Sequence, residues 1–212
     1  MILTYFGHAF FTLTLSDGRI IATDPYQSRN KSLTADICTL SHPRFHRDAA
    51  NIFQKPPLLL DQPGPYAPLP GICITGIPTF HEDRQGEKPE ENLIFVVKTE
   101  GLRLVHLGHL RHNLSETQIQ SIGKPDVLFL PVGGRYNLDC KMAQKVIESL
   151  APKVTIPMHY RTHACESVPI TPLGEFFRRL SIHPTPMPLC RITRQDISEC
   201  PKVVLLTTAE DF

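Results

Sequence analysis

Histidine stands at the end of one short apolar run after another in this chain. Ile37-Cys38-Thr39-Leu40 leads into Ser41-His42-Pro43-Arg44-Phe45-His46-Arg47-Asp48. Later come Thr79-Phe80-His81, His106-Leu107-Gly108-His109 and Ile156-Pro157-Met158-His159-Tyr160. Short apolar runs bounded by polar and turn residues read as strands, and ligands at several strand ends can converge on one point in a layered fold. Histidine is the commonest protein metal ligand. Yet Arg44 and Arg47 stand inside the first cluster, and a guanidinium has no lone pair to give a metal.

The remaining elements support such a fold. Ile2–Phe6, Phe10–Leu15 and Arg19–Thr23 read as strands, with a hairpin turn at Ser16-Asp17-Gly18. His46–Phe53 reads as a helix stopped by Pro56-Pro57. Leu58–Leu60 and Ile72–Ile77 are strands on either side of a turn-rich stretch, Asp61–Gly71, and His81–Glu91 is a charged loop. Leu93–Lys98 and Leu102–Leu107 make a hairpin across Thr99-Glu100-Gly101. Then come a helix from Ser115 to Gly123, strands Val127–Pro131 and Val154–Pro157, helices Asp139–Leu150 and Thr171–Leu180, and a closing strand Val203–Thr208. Ile182–Cys200 is proline-rich and reads as irregular. Strands followed by strand–helix units, with no linker between, predict one α/β domain with layered sheets over residues 1–212.

Composition excludes some roles. Lys plus Arg total 22 against 21 Asp plus Glu, so no nucleic acid or membrane surface is expected as a partner. No signal peptide and no run of ~20 apolar residues is visible. The six cysteines show no CxxC pairing, which predicts reduced thiols in the cytoplasm and no cysteine-based zinc site.

Taken together, Tyr5-Phe6-Gly7-His8-Ala9-Phe10, Thr23-Asp24-Pro25, Leu40-Ser41-His42, Thr79-Phe80-His81, His106-Leu107-Gly108, Leu130-Pro131-Val132-Gly133-Gly134 and Ile156-Pro157-Met158-His159-Tyr160 resemble the metallo-β-lactamase superfamily. The resemblance covers nearly the whole chain. It is closer to the small Zn-dependent hydrolase-like branch, which includes relatives of ascorbate-phosphate lactonase. It implies a four-layer αβ/βα sandwich with metals at the sheet edges between the halves. Residue by residue, it implies that His42 matches the first histidine of the family's His-x-His-x-Asp-His motif. Arg44, His46 and Arg47 replace the next three metal residues. His81 and His159 match later ligands, and His109 replaces the bridging aspartate.

On that mapping the first metal position keeps His42 and His81 beside the repelling charge of Arg44. The second holds His46, His109 and His159, and three histidines can form a zinc site with an open position for water. At most one zinc is expected, and a metal-free cleft is favoured over a one-zinc cleft. An arginine there can replace the lost charge and pair with a carboxylate, Asp24 or Asp48, or with an anionic ligand. His8 either lines the cleft or is a hydrogen-bonded loop residue. His106 is expected to be a satisfied core histidine, and Gly133-Gly134 to allow a close backbone approach. His112, His163 and His183 are expected at the surface or rim.

No GxSxG elbow is present, so the nucleophile of any hydrolysis should be water, activated by a metal or by a group such as His159 or Asp24. Arg44 and Arg47 suit an anionic substrate. Two functions follow: hydrolysis of a small anionic ester, lactone or phosphoester with one or no zinc, or a silent relative that binds a small anion or a protein in the old cleft.

Overall fold

Ile21 and Ala22 are neighbours in sequence, yet their side chains are buried in two different cores, and so are those of Ile37 and Cys38. Successive side chains of a strand point to opposite faces, so a strand with two cores lies inside a stack of layers. The computed structural model describes residues 1–26, 33–81, 90–134, 137–162 and 169–209.

The first sheet holds β1 (Ile2–Tyr5), β2 (Phe11–Thr14), β3 (Ile20–Thr23), β4 (Ile37–Thr39) and β5 (Leu58–Leu60). The second holds β6 (Gly64–Leu69), β7 (Ile72–His81), β8 (Glu90–Thr99), β9 (Leu102–His106), β10 (Val127–Pro131) and β11 (Val154–Met158). Late in the chain, β12 (Pro186–Met187) pairs with β14 (Leu205–Leu206), and β13 (Leu189–Arg191) returns to β1 as the outermost strand of the first sheet. The sheet orders are β13-β1-β2-β3-β4-β5 and β11-β10-β9-β8-β7-β6.

The large core lies between the sheets, with Leu3, Tyr5, Phe11 and Leu13 from one and Ile74, Phe95, Val105 and Phe129 from the other. Each such side chain, fully buried, contributes about 1.5–3 kcal/mol relative to exposure. Helix α1 (His46–Ile52) covers the smaller core through Ala49 and Ile52. Helices α2 (Glu116–Ile122), α3 (Cys140–Leu150) and α4 (Gly174–Leu180) join the large core through Ile122, Ala143, Val146, Leu150 and Phe176. Ser115 and Gln118 cap α2 reciprocally, and Asp139 caps α3. Among the described residues no helix is long and apolar enough to cross a membrane.

Two expectations need correcting. The stretch read as turn-rich contains β6, an edge strand with a register shift between Tyr66 and Leu69. The stretch read as irregular contains β12 and β13. Short edge strands tolerate prolines because part of their backbone needs no partner.

Strands β3, β4 and β5 run parallel, as do β9, β10 and β11. Parallel strands deliver their C-terminal loops to one rim. The loops after β3, β4, β9 and β11 carry Asp24, His42, His109 and His159 respectively. The Leu93 N–H donates to the Ser41 carbonyl at 2.9 Å, one backbone bond between the sheets at this rim.

Candidate metal centre

The loop after β1 turns at Gly7 and brings His8 to the rim with a φ of 55°. Asp24 and His159 also lie in the left-handed region, at 38° and 53°. Such backbone costs a non-glycine residue about 1–2 kcal/mol, and it persists only where neighbours hold it. Here the His159 N–H donates to the His8 carbonyl at 2.6 Å, and the Asp24 N–H to the Thr39 carbonyl at 3.0 Å. Gly133 lies so close to the His159 carbonyl that a Cβ would collide with it, the close approach expected from the sequence. Gly108 (φ 59°) similarly leaves no room for a Cβ beside Asn92 and Ser41.

His8, His109 and His159 each present a nitrogen within 4.8 Å of the others'. All three side chains are buried. Their ring centroids are 4.0 Å (His8–His159), 4.5 Å (His109–His159) and 5.1 Å (His8–His109) apart. Tyr26 stacks on His8 at 4.2 Å, and Phe45 lies 5.1 Å from the His109 ring. Burial pushes the pKa of His8 and of His109 well below the ordinary histidine value, with His159 and the Arg44 charge adding to it. Both are therefore neutral at pH 7, the ligand form of imidazole.

Neighbours orient each ring. Arg44 Nη2 lies 3.1 Å from His109 Nδ1, and its guanidinium sits 4.9 Å over the Phe45 ring. The His109 N–H donates to Asn92 Oδ1 at 2.7 Å, and Asn92 Nδ2 donates to Thr79 Oγ1 and to the Leu107 carbonyl. Asn137 Nδ2 lies 2.6 Å from His159 Nδ1 and donates to the His159 carbonyl at 3.2 Å. Asp24 accepts from the N–H and the hydroxyl of Ser41, with one carboxylate oxygen 3.9 Å from His109 Nε2. Burial raises the Asp24 pKa, and His106, Ser41 and Arg44 oppose that rise. His106 places Nε2 3.0 Å from the Ala9 carbonyl and accepts the Gly108 N–H on Nδ1, as a satisfied core histidine does.

The structure thus brings together His109 and His159 of the ligand set expected from sequence, with Arg44 against them. His8 completes the group, where His46 was expected. His46 begins α1 half-exposed, and its Nε2 pairs with Asp61 Oδ2 at 2.8 Å. Both line a separate cavity of about 350 Å³ together with Ser41, Thr79 and Asn92. The short turn Pro43–Phe45 swings the start of α1 outward, which accounts for the exchange. His42 caps that turn by accepting the Arg44 N–H on Nδ1 at 3.1 Å. Arg47 is exposed on α1, and Asp48 stands in that helix's first turn. His81 closes β7 opposite Glu90; its side chain, and all of His163, lie outside the described residues. Asn92 and Asn137 carried no signal in the sequence reading.

The superfamily implies a metal, and the donor set can be tested for one. Three buried imidazoles that converge make a set suited to a single zinc with an open fourth position. His8 Nδ1 and His109 Nε2 have no hydrogen-bond partner among the described residues, as nitrogens that await an ion would not. The set fits one ion.

Comparison with known proteins places the fold in a family. Residues 2–159 match the family described as the beta-lactamase superfamily domain. A crystal structure from Thermotoga maritima, assigned as a Zn-dependent hydrolase of the metallo-β-lactamase superfamily, superposes with a TM-score of 0.79 at 34% identity, covering 97% of each chain. A UPF0173 metal-dependent hydrolase of Thermococcus onnurineus is 26% identical, over 83% of this chain and 90% of its own. Another, from Archaeoglobus fulgidus, is 37% identical over 97 residues, which span 43% of this chain and under half of that relative (42%). On its family match, its two facing sheets and this structural neighbour, the chain belongs to the metallo-β-lactamase superfamily.

Proposed function

We propose that this protein is a hydrolase of small anionic substrates (an ester, lactone or phosphoester) and that its centre is His8, His109 and His159 with at most one metal ion. The observation that carries this reading is the trio of buried nitrogens within 4.8 Å, with the Arg44 guanidinium 3.1 Å from one of them. The relatives' description as metal-dependent hydrolases supports it. When bound, a divalent ion supplies a Lewis acid and lowers the pKa of a water to ~7. The chain's own residues do the rest. Asn92 and Asn137 fix the loops that carry His109 and His159. Phe45 and Tyr26 shield the rings from solvent. Arg44, always charged, pairs with an anionic substrate. The described cysteines are free thiols, which suits a reducing compartment such as the cytoplasm.

The test uses protein purified without a histidine tag, assayed before and after zinc incubation. The panel comprises a phosphomonoester, a phosphodiester, a carboxylate-bearing ester and a lactone. Turnover of an anionic member, lost in His159→Gln and in His8→Gln, is expected. A folded protein that takes up zinc or none and turns over nothing would leave the silent anion-binding reading in its place.

A further inference from the structure

We propose that the groove at the end of the second sheet away from the metal centre is a binding site for an oligophosphate, an anion of two or three linked phosphate groups with no apolar body. The inference is independent of the hydrolase reading, because the groove shares no residue with the three-histidine centre.

The metal centre lies beyond the C-terminal ends of β9 and β11, and the groove lies at the N-terminal ends of β9, β10 and β11. The groove has a volume of about 570 Å³. Five cations line it, Lys98, Arg103, Lys124, Lys153 and Arg194, against two carboxylates, Glu100 and Asp126. The whole chain has 22 Lys plus Arg against 21 Asp plus Glu, so positive charge is concentrated here. Lys98 comes from the end of β8, Arg103 from the start of β9, Lys124 from the loop before β10 and Lys153 from the loop before β11. These four strands are successive neighbours in the sheet. At ~4.8 Å between strands, the cations form a row on the order of 14 Å long.

Neither carboxylate cancels the row. Asp126 is buried and already holds three donors: Lys153 Nζ at 2.9 Å, Arg194 Nη1 at 3.1 Å and the Arg103 N–H at 2.8 Å. Two cations thus share one negative charge, which holds both beside the groove. Glu100 accepts the Ser16 N–H at 2.6 Å and pairs with the Met1 amino group at 3.1 Å. Arg103 Nη1 donates to the Ile122 carbonyl at 2.9 Å, a neutral partner. Lys98 and Lys124 are exposed and make no ion pair among the described residues.

The register makes this arrangement costly in the absence of an anion. Lys98 and Arg103 stand directly opposite each other in the β8–β9 ladder, and like charges so placed destabilise a sheet. The C-terminal end of α2 favours a cation, which accounts for Arg103 on the Ile122 carbonyl. It does not account for Lys98, which lies on a strand. A multiply charged anion along the row would remove the repulsion, with ammonium and guanidinium groups donating to its oxygens. Among the described residues no aromatic ring lines the groove, and its apolar side chains, Leu102 and Pro125, are buried. It therefore offers a nucleobase no ring to stack on.

Calorimetry on the full chain, free of metal and of any affinity tag, tests this with inorganic phosphate, tripolyphosphate and a hexaglutamate peptide. Tripolyphosphate should bind at least about tenfold more tightly than phosphate, because it reaches more than one cation. The double variant Lys98→Gln, Lys124→Gln should weaken it about tenfold or more. Arg44→Ala, at the metal centre, should leave it unchanged. Lys98→Gln alone should raise the urea midpoint of the ligand-free protein, since it removes a charge opposed to Arg103; a lysine with a structural role would lower it. Absence of tripolyphosphate binding, equal affinity for phosphate, binding lost in Arg44→Ala but kept in the double variant, or a lowered midpoint for Lys98→Gln overturns the proposal. So does tighter binding of hexaglutamate than of tripolyphosphate, which would make the groove a docking surface for an acidic protein segment.

Discussion

His8 and His159 are joined twice: a 2.6 Å backbone bond runs from the His159 N–H to the His8 carbonyl, and their rings lie 4.0 Å apart. One loop follows the first sheet's β1 and the other the second sheet's β11, so the pair fixes how the two sheets meet at the rim. If these rings, rather than His46, hold the ion, His8→Gln should abolish zinc uptake by tag-free protein. His46→Gln should leave it intact and cost only the ~0–1 kcal/mol of a half-exposed ion pair. Zinc content by elemental analysis and a denaturant midpoint for each variant check this; the reverse pattern would return the site to the family's first motif.

Gly133→Ala should destabilise the protein by about 1–3 kcal/mol, because the new Cβ overpacks against the His159 carbonyl. Urea unfolding of parent and variant measures it. Gly174→Ala is the control, since a Cβ there meets nothing within 4 Å, and its midpoint should hardly move.

Ser41→Ala removes the hydroxyl that donates to the buried Asp24. Loss of a hydrogen bond to a charged, buried acceptor should cost about 1.5–3 kcal/mol. The same denaturant series reads it, and an unchanged midpoint would mean that Asp24 is neutral or finds another donor.

Stability should fall on acidification below about pH 6.5, the unfolded-state value for histidine. Burial lowers the His106 pKa in the folded state, against the pull of Asp24. The unfolded chain therefore binds the proton more readily. The contribution of neutral His106 is complete above the unfolded value and is lost as pH falls through the folded one. Urea midpoints between pH 7.5 and 5 measure the slope, and His106→Gln should flatten it.

Much of the fold was legible because its signals are local. Ser115 and Gln118 announce α2, Asp139 announces α3, and Gly18 marks the β2–β3 hairpin. β13 was not legible: three residues among prolines become a strand only because β1 lies beside them, far away in sequence. Helix α4 begins at Gly174, later than its apolar spacing suggested. In the site, the strand-end rule named His109 and His159, and the structure brings these two rings together. It misplaced His46, because sequence order does not show that a three-residue turn rotates the start of α1 toward Asp61. His8 read equally as a cleft residue or a hydrogen-bonded loop residue, and the left-handed backbone that turns it to the rim is a tertiary fact. Asn137 follows the Gly133-Gly134 pair closely, and nothing about an asparagine in a loop tells which ring it will face.

The centre draws its rings from segments far apart in the chain, one after the first sheet and two after the second. Any ion or anion gripped there acts as a staple across the molecule. Binding to the folded state alone would raise stability by about 2.7 kcal/mol at a hundredfold excess over Kd. A thermal-shift titration would thus register occupancy even for a ligand that is never turned over, and would rank candidate ligands before any substrate is known.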